Sequence, residues 1–211
     1  MRTHFALVLI LIRHGQSTAN VAALLVGRTD VELTERGREQ ASALADCLGE
    51  VVRVISSPLQ RAQQTARLAL PHLECGIDDA FIELDYGDHD GRTIAEVPPD
   101  EWRNFRDSHA ASLRGGESLA DLDARVHARL NEFRHDDHSL IHDPRQHLAV
   151  VSHVSPIKSA VAWALGVHGS LAWRLRLDNA SLTTIAVRDS GPYLITYNDV
   201  SARRRSTPLE R

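Results

Sequence analysis

The chain has 211 residues, of which 43% are hydrophobic, enough to bury one substantial core. Its formal charge of −4 argues against a general binder of nucleic acid or of anionic membrane surfaces, since both recruit polyanions through a net basic face. Two cysteines, Cys47 and Cys75, with no CxxC pair, supply neither a disulfide framework nor a thiolate metal site, and a reducing cytoplasm is the compartment that fits.

The first element is an apolar run from Phe5 to Ile12, closed by Arg13-His14-Gly15. Read as a secretory segment it is cut short by the two basic residues and lacks a small-residue cleavage site, so a buried central strand is expected. Thr34 to Leu48 has Ala41, Leu44, Ala45 and Leu48 on one helical face, with Gly49 as a stop. Val51 to Ile55 reads as a short strand. Ser57-Pro58 then predicts a capped helix over Leu59–Leu70 that places Arg61 at the mouth of a strand-to-helix turn. After the run Phe81 to Leu84, residues 85–93 hold two glycines and three aspartates and are expected to form an irregular loop.

Ser118 with Asp121 predicts a capping box, followed by helical spacing of Leu119, Leu122, Val126, Leu130 and Phe133. Arg134 to Gln146 is a polar connector. His147 to Ser152 repeats the buried-strand pattern, Ser155-Pro156 restarts a helix to about Leu165, and His153 falls in the turn between them, as His14 does after the first strand. Thr183 to Val187 and Leu194 to Tyr197 predict two more strands. Together these elements predict an α/β fold, a three-layer α/β/α sandwich with a mostly parallel central sheet. One domain is expected over residues 1–200, with a basic, disordered tail at 201–211.

Open α/β sheets place chemistry beyond the carboxyl ends of their strands, so Arg13 and His14 are candidates for a phosphate site, with His14 as nucleophile. Four segments in order resemble the histidine phosphatase superfamily, also called phosphoglycerate mutase-like: Leu11-Ile12-Arg13-His14-Gly15-Gln16-Ser17-Thr18-Ala19-Asn20, Ser56-Ser57-Pro58-Leu59-Gln60-Arg61-Ala62, Glu83 with Gly87 and Gly91, and Ser152-His153. Connecting pieces such as Leu33-Thr34-Glu35-Arg36-Gly37 and Gly115-Gly116-Glu117-Ser118 are similar too, so the resemblance runs from about residue 8 to about residue 187.

The resemblance implies that His14 attacks a phosphate monoester and forms a phosphohistidine, while Arg13, Arg61 and His153 surround the phosphoryl group with positive charge. It implies that Glu83 protonates the leaving oxygen and then activates water. Ser17 and Asn20 match positions that hydrogen-bond the phosphate. Val154 stands where many relatives have glycine, keeping the backbone N–H but adding bulk beside the pocket. The segment Ser152 to Lys158 looks more like the α-ribazole phosphatase-like and acid phosphatase branches than the glycolytic mutases, which also carry a longer insertion before the second histidine.

The reading is therefore a phosphate monoester hydrolase for a small phosphorylated metabolite, with no metal or organic cofactor. Phosphoglycerate-type mutation is the enzymatic alternative, and a non-catalytic phospholigand-binding domain the alternative of another class. Asp85 and Asp88 compete with Glu83 for the acid role. His135, His138, His142 and His147 with Asp136, Asp137 and Asp143 are metal-ligand types, but their spacing fits no ligand pattern. Arg28, Arg92, Arg103, Arg106, Arg114 and Lys158 are candidates to grip a second anionic group, and Trp102 and Phe105 to line a substrate wall or pack a short helix. No nucleic-acid or membrane partner is expected; a homodimer through a sheet edge and the Trp163 and Trp173 region is compatible with the sequence, as is their burial inside one subunit.

Overall fold

The computed structural model describes residues 7–135, 146–167, 170–188 and 190–202. The tail from 203 onward, residues 136–145 of the polar connector and the segment before Leu7 lie outside the described residues. One sheet has six strands: β1 (Leu7–Arg13), β2 (Glu50–Ser56), β3 (Cys75–Ile77), β4 (Gln146–Ser152), β5 (Leu182–Arg188) and β6 (Gly191–Asp199), in the order β3-β2-β4-β1-β5-β6. The first four are mutually parallel, whereas β5 and β6 run antiparallel at one side.

Alternation along β1 explains the layering, because successive side chains of a strand point to opposite faces. Leu7, Leu9 and Leu11 enter one core with Leu148 and Val150 of β4. Ile10 and Ile12 enter the other with Ala149 and Val151. The first face is covered by α5 (Leu119–His135) and α6 (Val154–Leu165), through Leu122, Val126, Leu130, Phe133, Ile157 and Ala160. The second is covered by α3 (Gln60–Ala69), through Ala62, Ala66 and Ala69, with Leu44 and Leu48 beside it. Three further helices, α1 (Thr18–Val21), α2 (Glu35–Ser42) and α4 (Pro99–Asp107), lie in the connections. No helix among the described residues is long and apolar enough to cross a membrane.

Several expected boundaries move for physical reasons. The helix predicted to Leu48 ends at Ser42 and tightens into a 3₁₀ turn at Ala45–Cys47, so that Leu44 and Leu48 both reach the core before Gly49 reverses the chain at φ 63°. Ser57 does not cap α3 as an N-cap; that place is taken by Leu59, whose N–H reaches the Ser57 hydroxyl at 3.3 Å. α6 begins one residue before the Ser-Pro pair, and Pro156 is tolerated because first-turn N–H groups have no helical partner. The Ser118–Asp121 box forms as expected, with reciprocal bonds of 3.3 and 3.1 Å. β3 and α1 were not signalled by periodicity.

Candidate active site

The parallel register sets the site. Arg13 lies beside Ser152 and Ser56 beside Val151, so His14, Ser57 and His153, each one residue farther along, emerge together at the carboxyl edge of the sheet. The His14 and His153 rings lie 5.0 Å apart, centroid to centroid, and both residues are buried.

His14 is fixed through its backbone and its ring. Its N–H donates to Ser152 O at 3.0 Å and its carbonyl accepts from Ala180 N at 3.1 Å. Nδ1 lies 2.7 Å from Gly15 O, which can only accept, so Nδ1 carries the proton and Nε2 keeps its lone pair. Gly15 N–H donates to Thr65 Oγ1, and Thr65 Oγ1 donates to Arg61 O, tying this loop to α3. Burial, and then the charges of Arg13 and Arg61, hold the His14 pKa well below its ordinary value. The cations anticipated from sequence contribute, but desolvation leads.

His153 is held the same way, by burial first and then by Arg61, His14 and Arg13. These causes favour an uncharged ring in the unliganded protein. Its Nε2 lies 2.7 Å from Ser57 Oγ. That oxygen also accepts from Leu59 N–H; with the Ser57 hydroxyl donating to Nε2, the ring proton lies on Nδ1, which is buried and has no hydrogen-bond partner among the described residues.

Arg61 is 1% exposed, and its two terminal nitrogens donate to Thr29 O at 2.9 Å and Gly27 O at 2.8 Å. Five N–H donors less these two leave three for a ligand. Arg13 is half-buried, with Nη1 on Leu177 O at 2.6 Å. Glu83 is 5% exposed and occupies the N-terminus of α6: Oε2 accepts from Val154 N at 3.1 Å, and Oε1 from Ser155 N at 3.1 Å and its neighbour Leu84 N at 2.8 Å. Val154 thus enters the site through its N–H, which positions Glu83. The rival acids sit elsewhere: Asp85 pairs with Arg28 at 3.4 Å and Asp88 with Arg114 at 3.0 Å.

Ser17 and Asn20 bond to each other in the capping box of α1, and Asn20 Oδ1 also accepts from Asn179 Nδ2 at 2.9 Å. Sequence reasoning missed Ser57, Thr65, Asn179 and Arg125, whose guanidinium braces the Glu83 segment through Ala80 O at 2.7 Å and Glu83 O at 3.3 Å. Of these only Ser57 lay inside a recognised motif. Among the described residues no cluster of three or more histidine, cysteine, aspartate or glutamate side chains is arranged to hold a metal ion; residues 136–145 of the histidine-rich connector are outside that description.

A model of the histidine phosphatase superfamily, branch 1, matches residues 9–200. The chain belongs to the histidine phosphatase superfamily. This histidine phosphatase is 35% identical over 198 residues to phosphoserine phosphatase 1 of Hydrogenobacter thermophilus, covering 90% of this chain and 91% of that protein. It is 32% identical over 194 residues to a probable phosphoglycerate mutase of Yersinia pestis, covering 87% and 86%. Among solved structures, mycobacterial glucosyl-3-phosphoglycerate phosphatase superposes with a TM-score of 0.83 at 27% identity, over 92% of this chain and 99% of that one.

Proposed function

We propose that this member of the family hydrolyses phosphate monoesters of small metabolites by two in-line displacements on His14. His14 Nε2 attacks phosphorus as the ester P–O bond breaks, and Glu83 delivers the proton that the departing oxygen takes up. Water then attacks the phosphohistidine, Glu83 removes its proton, and the P–N bond breaks to return His14 and release phosphate. Arg13, Arg61 and the His153 Nδ1–H stabilise the charge on the three equatorial oxygens. Asn20 offers its Nδ2 and Ser17 its place in the α1 box to the same group. An arriving dianion offsets the cationic field that acts with burial to keep His153 neutral, which favours charge on the ring once substrate is bound.

The observation that carries this reading is the His14 ring: neutral by burial and by its cationic neighbours, and turned by Gly15 O so that Nε2 holds the lone pair. Relatives named as phosphatases of phosphoserine and of glucosyl-3-phosphoglycerate support hydrolysis, and the Yersinia relative keeps mutation as a second reading.

Phosphate release from phenyl phosphate and 3-phosphoglycerate in excess EDTA, with wild type and His14→Ala side by side, tests it. Release by wild type alone is expected, together with an acid-labile, base-stable phosphoprotein on rapid quench. Retention of label with interconversion of 2- and 3-phosphoglycerate would replace hydrolysis by mutation. Absence of turnover and of label would leave a binding domain.

A further inference from the structure

Residues 85–93 hold three aspartates, and the structure gives them different partners. Asp85 pairs with Arg28 at 3.4 Å and Asp88 with Arg114 at 3.0 Å. Asp90 takes backbone N–H groups instead. Its Oδ1 accepts from Gly27 N at 2.9 Å, and its Oδ2 from Arg28 N at 2.9 Å and Thr29 N at 2.8 Å, across 61 to 63 residues of chain. Successive N–H groups that converge on one point make a concavity for an anion, and here the Asp90 carboxylate fills it.

The carbonyls of the same stretch face the site. Gly27 O and Thr29 O are the two groups that hold the Arg61 guanidinium, at 2.8 and 2.9 Å. The peptide joining Gly27 to Arg28 therefore takes part twice: its N–H donates to Asp90 and its C=O accepts from Arg61 Nη2. Hydrogen bonds in such a series, from anion through dipole to cation, polarise one another, and the planar peptide fixes their relative direction. Burial lowers the Arg61 pKa, and the charges of Glu83, Asp30 and Asp90 oppose that shift.

Asp90 holds the middle of this loop, whose ends are held separately. Leu25 N donates to Arg92 O and Leu25 O accepts from Gly91 N, both at 2.7 Å, while Asp30 Oδ1 accepts from Gln60 N at 2.7 Å at the start of α3. A Cβ added at Gly27 would stand 2.3 Å from Leu84 O, so the loop also lies against the residue that follows Glu83. These contacts fix where the loop runs; the direction of its peptide planes is set by the Asp90 bonds. Without that acceptor the three N–H groups turn to water, and the carbonyls turn with them, away from a side chain that is 1% exposed.

We infer that Asp90 is a positioning residue for Arg61: by fixing the N–H groups of Gly27, Arg28 and Thr29 it aims the carbonyls that orient the guanidinium toward the phosphoryl group. The inference rests on the phosphatase reading for the group that Arg61 meets. The effect of Asp90 on catalysis then passes through Arg61, which gives it a signature that a general loss of stability lacks.

A double-variant cycle tests it, because residues that act through one contact lose activity non-additively. kcat/KM for phenyl phosphate, and the dissociation constant of orthovanadate as a probe of the phosphoryl pocket, are measured for wild type, Asp90→Asn, Arg61→Gln and the double variant, with melting temperatures alongside. Asp90→Asn is expected to lower kcat/KM about 10- to 100-fold and to weaken vanadate binding in step, but to change either by less than about 3-fold in the Arg61→Gln background. Equal fold-losses in both backgrounds, or a lowered melting temperature with unchanged kcat/KM, overturn the proposal. If Asp90→Asn does not fold, Asp90→Ser, which leaves room for water at the three N–H groups, takes its place in the cycle under the same criteria. A wild type that hydrolyses no ester but binds vanadate defeats the phosphatase reading alone, and the vanadate cycle then decides the role of Asp90; a wild type that does neither defeats both.

Discussion

Ser57 Oγ lies 2.7 Å from His153 Nε2, and with the hydroxyl as donor this contact places the ring proton on Nδ1. Ser57→Ala removes it and leaves both ring nitrogens without a partner among the described residues. The loss of one buried hydrogen bond predicts a kcat lower by about 2- to 10-fold with KM little changed, because His153 is misaligned for the transition state rather than for ground-state binding. Steady-state kinetics and the 15N shifts of the His153 ring check this; an unchanged tautomer in the variant would remove Ser57 from the positioning role.

Glu83→Gln should separate good leaving groups from poor ones. Phenolate departs with little help, while an alkoxide needs a proton in the transition state. Hydrolysis of an alkyl phosphate is expected to fall about 10²- to 10⁴-fold, and that of an aryl phosphate far less. The amide also sets an NH₂ against backbone N–H groups of Leu84, Val154 or Ser155, which adds a loss common to both substrates. Equal losses would assign Glu83 to structure alone.

The two buried histidines make stability depend on pH in a definite direction. Both have folded pKa values well below 6.5, near which the unfolded chain titrates. Below pH 6.5 the unfolded state binds protons that the folded state refuses, so stability falls with pH from there toward the folded values, and above 6.5 these groups contribute no slope. Each histidine adds at most about 1.4 kcal/mol per pH unit in that window. Urea denaturation between pH 7 and 5 should show a shallower decline for the double variant His14→Gln/His153→Gln than for wild type; parallel declines would mean that the rings titrate normally.

The loop carrying His14 crosses the start of α2 with no room to spare. A Cβ added at Gly37 would stand 2.0 Å from Gln16 O, and one at Gly15 would stand 2.3 Å from Gly37 O. Gly37→Ala is expected to cost at least about 1–3 kcal/mol and to lower activity by displacing the loop. Gly76→Ala, whose Cβ would meet nothing closer than 3.8 Å, is the control and should leave the melting temperature nearly unchanged.

What could be read in the sequence was local. Arg13, His14 and Gly15 are adjacent and end an apolar run, Arg61 follows a Ser-Pro turn, and His153 ends a second run; each lies where strand and helix signals already place a turn. The supports are distant in the chain. Thr65 meets Gly15 across 50 residues, and Asn179 meets Asn20 across 159, contacts that no window of spacing contains. The strand order creates them, with β2 beside β4 on one side of β1 and antiparallel β5 on the other, and hydrophobic runs specify burial of a strand without naming its neighbour. The same holds for Glu83. Its rivals Asp85 and Asp88 are of the same chemical type two and five residues away, and only the N-terminus of α6 distinguishes them.

The groups on which chemistry is proposed to depend are largely supported by peptide bonds: Glu83 by three N–H groups, Arg61 by the carbonyls of Gly27 and Thr29, Arg13 by that of Leu177, and His14 by that of Gly15. Carbonyls are common to all residues and N–H groups to all but proline, so these supports survive most side-chain replacements that preserve the path of the chain. Side chains elsewhere around the site can then be replaced without disturbing the backbone groups that hold the phosphoryl machinery.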